Sequence, residues 1–281
     1  MSSATLYESN RAYWTRRAPG YSQVSRRELE GSWQRQAWKS ELCETLTRHF
    51  GRRKAHTIRV LDIGTGPGFF AALLAEAGFC VTAIDLTAAM LHEARVNLGR
   101  LSSRVEFLQM DAEQLGFPDA SFDAVVTRNL TWNLPHPERV YTEWLRVLVP
   151  GGVMLNYDAN WYRYLFDEHA RKSWDDNRRR SAELSVCDDN VGEGFDEMER
   201  IAHQAPLSRA LRPAWDLRVL GGLGVAASCD PDVWKRVWTS DEKICMASTP
   251  LFRVTAVKTL KSSSQSPIPW AAPDSPRPAP F

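Results

Sequence analysis

Arg59-Val60-Leu61-Asp62-Ile63-Gly64-Thr65-Gly66-Pro67-Gly68-Phe69-Phe70-Ala71-Ala72-Leu73-Leu74-Ala75 decides the fold. A short apolar run is followed by three glycines within five residues and then by an Ala/Leu-rich segment of high helix propensity. The pattern predicts strand, tight turn, helix. Glycine is needed in such a turn because a backbone without Cβ takes positive φ and lets a ligand lie almost against the main chain.

The spacing separates two kinds of ligand. A dinucleotide fingerprint reads G-x-G-x-x-G, with a pyrophosphate over the helix N-terminus and an acid about 20 residues on. Here Gly64, Gly66 and Gly68 give G-x-G-x-G, and Phe69 stands where the last glycine of the dinucleotide motif would be. A second predicted strand, Cys80-Val81-Thr82-Ala83-Ile84, ends in Asp85, whose carboxylate can accept hydrogen bonds from both hydroxyls of a ribose. Cys80 is expected in its buried part.

Asp62-x-Gly-x-Gly-x-Gly with an acid ending the next strand resembles motif I and its acidic partner in class I S-adenosylmethionine-dependent methyltransferases. That cofactor has a ribose and an adenine but no phosphate, which suits a loop shaped for something other than a pyrophosphate. The resemblance implies a Rossmann-like α/β fold: a seven-stranded, mostly parallel sheet flanked by helices, with an antiparallel edge strand and a helical cap. It also implies S-adenosyl-L-methionine as cofactor, held by Asp62, Gly64, Thr65, Gly66, Gly68, Asp85, Leu86 and Met90, and by residues that follow the later strands.

Those later strands can be placed. Thr87 can cap a helix with Met90, Leu91, Ala94 and Leu98 on its apolar face. Val105-Glu106-Phe107-Leu108-Gln109 reads as the third strand and leads to Met110-Asp111-Ala112, where the resemblance places the adenine contacts. Phe122-Asp123-Ala124-Val125-Val126-Thr127-Arg128-Asn129 reads as the fourth. Ligands in open α/β sheets lie beyond the carboxyl ends of strands, so Arg128, Asn129, Leu130, Thr131 and Trp132 should border the cofactor and the transfer site. Asn129-Leu130-Thr131-Trp132 departs from the Asn/Asp-Pro-Pro-aromatic run of nucleobase N-methyltransferases, and no Pro-Cys nucleophile occurs there, which argues against base methylation.

A helix from Pro137, with Val140, Trp144 and Val147 on one face, ends at Pro150-Gly151-Gly152. The fifth strand, Val153 to Tyr157, then delivers Asp158, Asn160 and Trp161 to the same rim. Trp215-Asp216-Leu217-Arg218-Val219-Leu220 and Leu251-Phe252-Arg253-Val254-Thr255-Ala256-Val257 are expected as the last two strands.

The domain organisation follows: an N-terminal helical lid segment at 1–55, the cofactor-binding core at 56–161, a helical cap at 162–214, the last two core strands within 215–260, and a Pro/Ser-rich tail at 261–281 expected to be disordered. Trp38, Leu42, Leu46 and Phe50 recur every four residues and predict an apolar stripe packed on the sheet within a helical region from Ser25 to Phe50. The earlier stretch from Tyr13 to Tyr21 reads as too polar and too broken for a core element. By resemblance it is a lid, with Tyr13, Trp14, Arg17 and Tyr21 as candidates for closing the site; anchoring at the surface is the other reading of the same aromatics.

Composition limits the function classes. A chain of 281 residues with 43% hydrophobic and 25% charged residues and net charge +1 gives no sign of a nucleic-acid or membrane partner. The runs Arg52-Arg53-Lys54 and Arg178-Arg179-Arg180 are short enough to be solvated faces. Five cysteines, Cys43, Cys80, Cys187, Cys229 and Cys245, are widely spaced and suggest neither a disulfide framework nor a metal site. No secretory signal or long apolar run is seen, so a soluble cytoplasmic protein is expected.

Methyl transfer from a sulfonium needs an acceptor held in line about 3 Å from the methyl, exclusion of water, and a base where the acceptor must lose a proton. His136, Asp158 and His169 are candidates for that base or for acceptor contacts, beside structural roles for each. The expected reaction is methyl transfer to a small-molecule acceptor, with the accepting atom open. An NAD-dependent oxidoreductase is disfavoured by Phe69, and a protein or RNA methyltransferase by the neutral charge. A cofactor-binding protein without catalysis would keep the same residues.

Overall fold

The computed structural model describes residues 3–186 and 194–259. In chain order the helices are α1 (Ser3–Glu30), α2 (Ser32–Lys39), α3 (Thr45–Phe50), α4 (Phe69–Glu76), α5 (Ala88–Leu98), α6 (Pro137–Val147), α7 (Glu168–Glu183), α8 (Phe195–Ala202), α9 (Ala214–Gly222), α10 (Trp234–Val237) and α11 (Ser240–Cys245). The strands are β1 (Arg59–Ile63), β2 (Cys80–Asp85), β3 (Val105–Gln109), β4 (Phe122–Arg128), β5 (Leu148–Asp158), β6 (Ala226–Asp230) and β7 (Phe252–Val257).

The strands form one sheet in the order β3-β2-β1-β4-β5-β7-β6. β1 pairs in parallel with β2 and β4, β2 with β3, and β4 with β5. β7 runs antiparallel to both of its neighbours, β5 and β6. The antiparallel strand therefore lies one place in from the edge, and β6 is the edge strand. The chain order reverses direction across the sheet at β1/β4, the switch point where open α/β sheets take their ligands.

β1 and β4 are buried almost throughout because helices cover both faces of the sheet, so their apolar runs do not alternate. One face is covered by α4 and by Trp38, Leu42 and Leu46, the expected stripe, with Phe50 packed on the same cluster. The other is covered by α6, through Val140, Tyr141, Trp144 and Val147, and by α9 through Leu220.

Four expectations are corrected. Trp215 to Leu220 is not a strand but most of α9, and the strand falls at Ala226–Asp230. Trp215, Leu217 and Val219 alternate, yet an apolar run this short does not distinguish strand from helix, and Asp216 binds Arg212 one turn back. Residues 215–260 thus carry α9, α10 and α11 as well as two strands. Cys80 is exposed: it opens β2, and Val81, Ala83 and Ile84 are the buried residues of that strand. Tyr13 to Tyr21 is unbroken helix, with Pro19 inside α1, and the N-terminal helical region divides at Gly31 instead of beginning at Ser25. The cost of an interior proline is offset by burial along α1, where Leu6, Tyr13, Ala18 and Ser22 are all packed away. The tail expectation for 261–281, like Cys187, lies outside the described residues.

Candidate active site

The turn after β1 is built by local bonds. The Thr65 hydroxyl donates to Asp62 Oδ2 at 2.6 Å, Thr65 N–H donates to the Ile84 carbonyl at 2.9 Å, and Gly68 N–H donates to the Thr65 carbonyl at 2.9 Å. Gly64 and Gly66 have φ of +66° and +53°. A Cβ on Gly64 would lie 2.8 Å from Leu130 Cδ2, so the first glycine also lets the loop after β4 approach the turn. Gly68, with φ +87°, does something else: its Cβ would collide with Leu98 and Ala94, so it admits α5 against α4 instead of a ligand.

Asp85 at the end of β2 accepts from Gly66 N–H at 3.0 Å through one oxygen, and from Thr87 N–H at 2.9 Å and the Thr87 hydroxyl at 3.1 Å through the other. Thr87 in turn accepts from Met90 N–H and caps α5, as its position predicts. Burial raises both carboxyls above the ordinary range, Asp62 to about 7; the bonds from Thr65 to Asp62 and from Thr87 and Gly66 to Asp85 pull the other way. Asp111 follows β3 and accepts from Glu113 N–H at 2.8 Å, and burial raises it too.

These groups open onto a cavity of about 330 Å³. Asp62, Gly64, Thr65, Gly66, Asp85, Leu86, Met90, Met110, Asp111, Ala112, Arg128 and Asn129 all line it, which accounts for every expected cofactor residue except Gly68. The set fits a nucleoside without phosphates: carboxylates stand at the ends of β2 and β3, and a side chain at Gly64 would close the cradle. Asn129 sits at φ +57°, uncommon for a residue other than glycine, where the chain turns away from β4.

The opposite wall is aromatic and comes from distant segments. Tyr7, Asn10, Trp14, Arg17, Tyr21, Val24, Ser25 and Glu28 of α1 line the cavity at steps of mostly three or four residues, one face of a helix crossing its whole length. Tyr21 lies over Gly66, its ring 3.8 Å from where a Cβ would be. Trp132 from the loop after β4 pairs with Tyr162 of the cap at 4.8 Å, Tyr164 and Trp174 of the cap stack at 4.7 Å, and Phe195 continues the row. Arg128 crosses between the two walls. Its guanidinium lies 4.6 Å from the Trp38 ring centroid and 4.8 Å from that of Phe69, and it binds Glu28 of α1, with one bond at 3.1 Å. Glu28 and nearby groups hold Arg128 more firmly protonated than usual against its burial.

Of the expected lid and acceptor residues, Trp14, Arg17, Tyr21, Trp132 and Trp161 line the cavity. Tyr13, His136, Asp158, Asn160 and His169 do not. Tyr13 packs inward with Leu6, Trp132 and Met198. His169 is exposed on α7. His136 precedes α6, its backbone and ring both bound to Glu113, the ring at 2.7 Å. Asp158 is fully buried and ion-paired with Arg212, and Asn160 exchanges hydrogen bonds with the Arg212 backbone at 2.8 and 3.1 Å. Arg178, expected on a solvated face, lines the cavity with its guanidinium 5.4 Å from the Trp174 ring. Of the stripe from Tyr7 to Glu28, sequence reasoning picks out Trp14, Arg17 and Tyr21 and misses Tyr7, Asn10, Val24, Ser25 and Glu28, whose spacing is a readable signal. It also missed Trp238, Glu242, Met246 and Thr249, for which no local signal exists.

A family profile described as a methyltransferase domain matches residues 61–156. These residues form a class I S-adenosylmethionine-dependent methyltransferase domain. Over 123 residues, 42% of this chain, the sequence is 37% identical to the ubiquinone/menaquinone biosynthesis C-methyltransferase UbiE of Methylobacterium nodulans. The chain spans about half the length of that relative, 47%. The likeness of fold extends beyond the matched stretch. A Methanococcus maripaludis structure described as a candidate S-adenosyl-L-methionine-dependent methyltransferase superposes with TM-score 0.54 at 18% identity, covering 89% of this chain and 95% of that one. Haemonchus contortus phosphoethanolamine N-methyltransferase 2, in complex with phosphomonomethylethanolamine and S-adenosylhomocysteine, superposes with TM-score 0.51 at 19% identity over 78% of this chain and 52% of that one. Among the described residues no helix is long and apolar enough to cross a membrane, and no His/Cys/Asp/Glu cluster could hold a metal ion.

Proposed function

We propose that this protein methylates a small molecule, with S-adenosyl-L-methionine as the methyl donor. One observation carries the reading: a single cavity has the glycine turn, Asp85 and Asp111 on one wall and a row of aromatic rings from α1 and the cap on the other. The cofactor supplies a methyl group already activated on a sulfonium, so the work left to the protein is placement and exclusion of water. Asp85 takes the ribose hydroxyls and Asp111, beside Met110, the adenine. Gly64 and Gly66 let the methionine moiety lie along the backbone, and Asn129 and Leu130 turn the chain away beside it. Tyr21 and Trp14 of α1 close the site from above.

The acceptor then lies among Trp132, Trp161, Tyr162 and Trp174. These rings suit a flat compound small enough to share the cavity with the cofactor, with Arg178, beside Trp174, and Glu242 as charged groups for its polar atoms. The relatives act on different acceptors according to their names, so the accepting atom is left to experiment. Cys43, Cys80 and Cys229 are free thiols, which supports work in a reducing compartment such as the cytoplasm.

Calorimetry with S-adenosylhomocysteine and with NAD tests the cofactor assignment. Binding of the first and not the second is expected, and the reverse would overturn the reading. A metabolite screen that follows S-adenosylhomocysteine release then tests the activity, and a chain that binds the cofactor yet turns over no acceptor would be a binding protein.

A further inference from the structure

Asp158 and Arg212 touch no part of the cavity, yet they join four segments of the chain around it. Both side chains are fully buried. Arg212 comes from the end of the cap segment and donates through Nη1 to Asp158 Oδ2. Its Nε and Nη2 reach Asp216 at 3.0 and 2.7 Å, and Asp216 also accepts from the Tyr141 hydroxyl of α6. The remaining capacity of Asp158 is spent on two loops. Oδ2 accepts from Trp132 N–H at 3.1 Å, in the loop after β4; Oδ1 accepts from Trp161 Nε1 at 3.0 Å and Ala159 N–H at 2.9 Å, in the loop after β5.

Trp132 and Trp161 are walls of the cavity, so one carboxylate holds the backbone of one acceptor-side tryptophan and the indole of another, in different loops. The backbone of Arg212 closes the arrangement by exchanging both bonds with Asn160. A buried ion pair is weak evidence for stability, since well-packed apolar residues often do as well. Apolar residues could not, however, fix the direction of an indole N–H and a backbone N–H at once.

On the reading of the protein as a methyltransferase, we propose that Arg212 and Asp158 are positioning residues. They set the Trp132 backbone and the Trp161 indole relative to the transferred methyl, and thereby determine which acceptor is taken, without touching acceptor or cofactor. Arg212 fixes the carboxylate, and the carboxylate fixes the two tryptophan loops. The pair ties acceptor choice to the cap segment from which Arg212 comes.

The test uses the full chain labelled with 5-fluorotryptophan, read by fluorine NMR with and without S-adenosylhomocysteine. Trp132→Phe and Trp161→Phe assign the two resonances. Asp158→Asn keeps the shape but presents an amide where two donors now converge. It should move the Trp132 and Trp161 resonances, leave those of tryptophans remote from the loops in place, and change S-adenosylhomocysteine affinity by less than about threefold. For an acceptor found by screening, kcat/KM should fall by about tenfold or more, mainly through KM.

Arg212→Lys keeps the charge but cannot serve both carboxylates in fixed geometry, and it should give the same two shifts in weaker form. Unmoved Trp132 and Trp161 resonances in a folded Asp158→Asn chain would overturn the proposal. So would a cofactor affinity that falls as far as acceptor turnover, or two variants that both fail to fold, which would assign the pair to stability alone. If the wild-type chain does not bind S-adenosylhomocysteine, the methyltransferase reading fails instead, and the ligand-free spectra still show whether the pair holds the two tryptophan loops.

Discussion

On the sheet side of the cavity Asp62 is bound by Thr65, three residues away, and Asp85 by Gly66, 19 residues away. On the covered side Glu28 meets Arg128 across 100 residues, Arg212 meets Asp158 across 54, and Gln34 meets Glu242 across 208. The wall proposed for the cofactor is assembled by short loops at one end of a parallel sheet. The wall proposed for the acceptor exists only after α1, the cap and the C-terminal helices have docked. Changes on the sheet side should therefore act on cofactor affinity, and changes on the cover should act on the acceptor while leaving the cofactor in place.

The sharpest way to break that comparison is Gly64→Ala. A side chain there needs left-handed backbone and meets Leu130 at 2.8 Å, which together should cost roughly 2–5 kcal/mol, read as lost stability and lost S-adenosylhomocysteine binding. Full binding in a variant of wild-type stability would show that the turn is not the cradle.

A pH effect comes next. Burial moves the Asp62 carboxyl from 3.8 to about 7, so between those values the folded chain keeps a proton that the unfolded chain has lost. Stability of the ligand-free protein should fall as pH rises through that window, by roughly 2–4 kcal/mol, and Asp62→Asn should remove most of the fall. Denaturant titrations at pH 4.5, 6 and 7.5 would measure it, and a profile as steep in the variant as in the wild type would acquit Asp62.

Asp85→Ala should weaken S-adenosylmethionine binding by about 2–3 kcal/mol, through loss of charge-assisted bonds to the ribose. The same change frees Gly66 N–H and Thr87 N–H from their acceptor, so part of the loss is a looser turn. Calorimetry with S-adenosylhomocysteine and with adenine separates the parts, because adenine lacks the ribose and should lose little.

The same contrast explains what could be read from sequence. Strand, glycine turn and the acid proposed for the ribose sit within 27 residues, from Arg59 to Asp85, and their spacing reports a backbone geometry that tertiary packing does not override. β3, β4 and the cap on α5 followed from apolar runs and Thr87 for the same reason. The cover was less legible because its residues are chosen for what they meet. Pro19 and a polar composition argued against a helix that burial along α1 nevertheless holds. Asp158 stands at a strand end over the site, where a base would be expected, and only Arg212, 54 residues later, reveals that its charge is already used. Glu242 and Met246 line the cavity with no local pattern to announce them.

The smallest effect gives the cleanest comparison, because one kind of bond occurs in both regions. Thr87 caps α5 on the sheet side by accepting from Met90 N–H, and Thr239 caps α11 on the cover by accepting from Glu242 N–H, with the Glu242 carboxylate returning a bond to Thr239 N–H. Replacing either threonine by alanine should cost about 1 kcal/mol, a fall of roughly 2–4 °C in Tm. Thr87 also donates its hydroxyl to Asp85 Oδ1 at 3.1 Å, so Thr87→Ala loosens the carboxylate proposed for the ribose and should weaken S-adenosylhomocysteine binding as well. Thr239 has no such link, and Thr239→Ala should lose the same stability with cofactor affinity unchanged. Equal losses of affinity in the two variants would mean that the walls respond as one body, and the division between a locally built cofactor site and a separately assembled acceptor site would have to be given up.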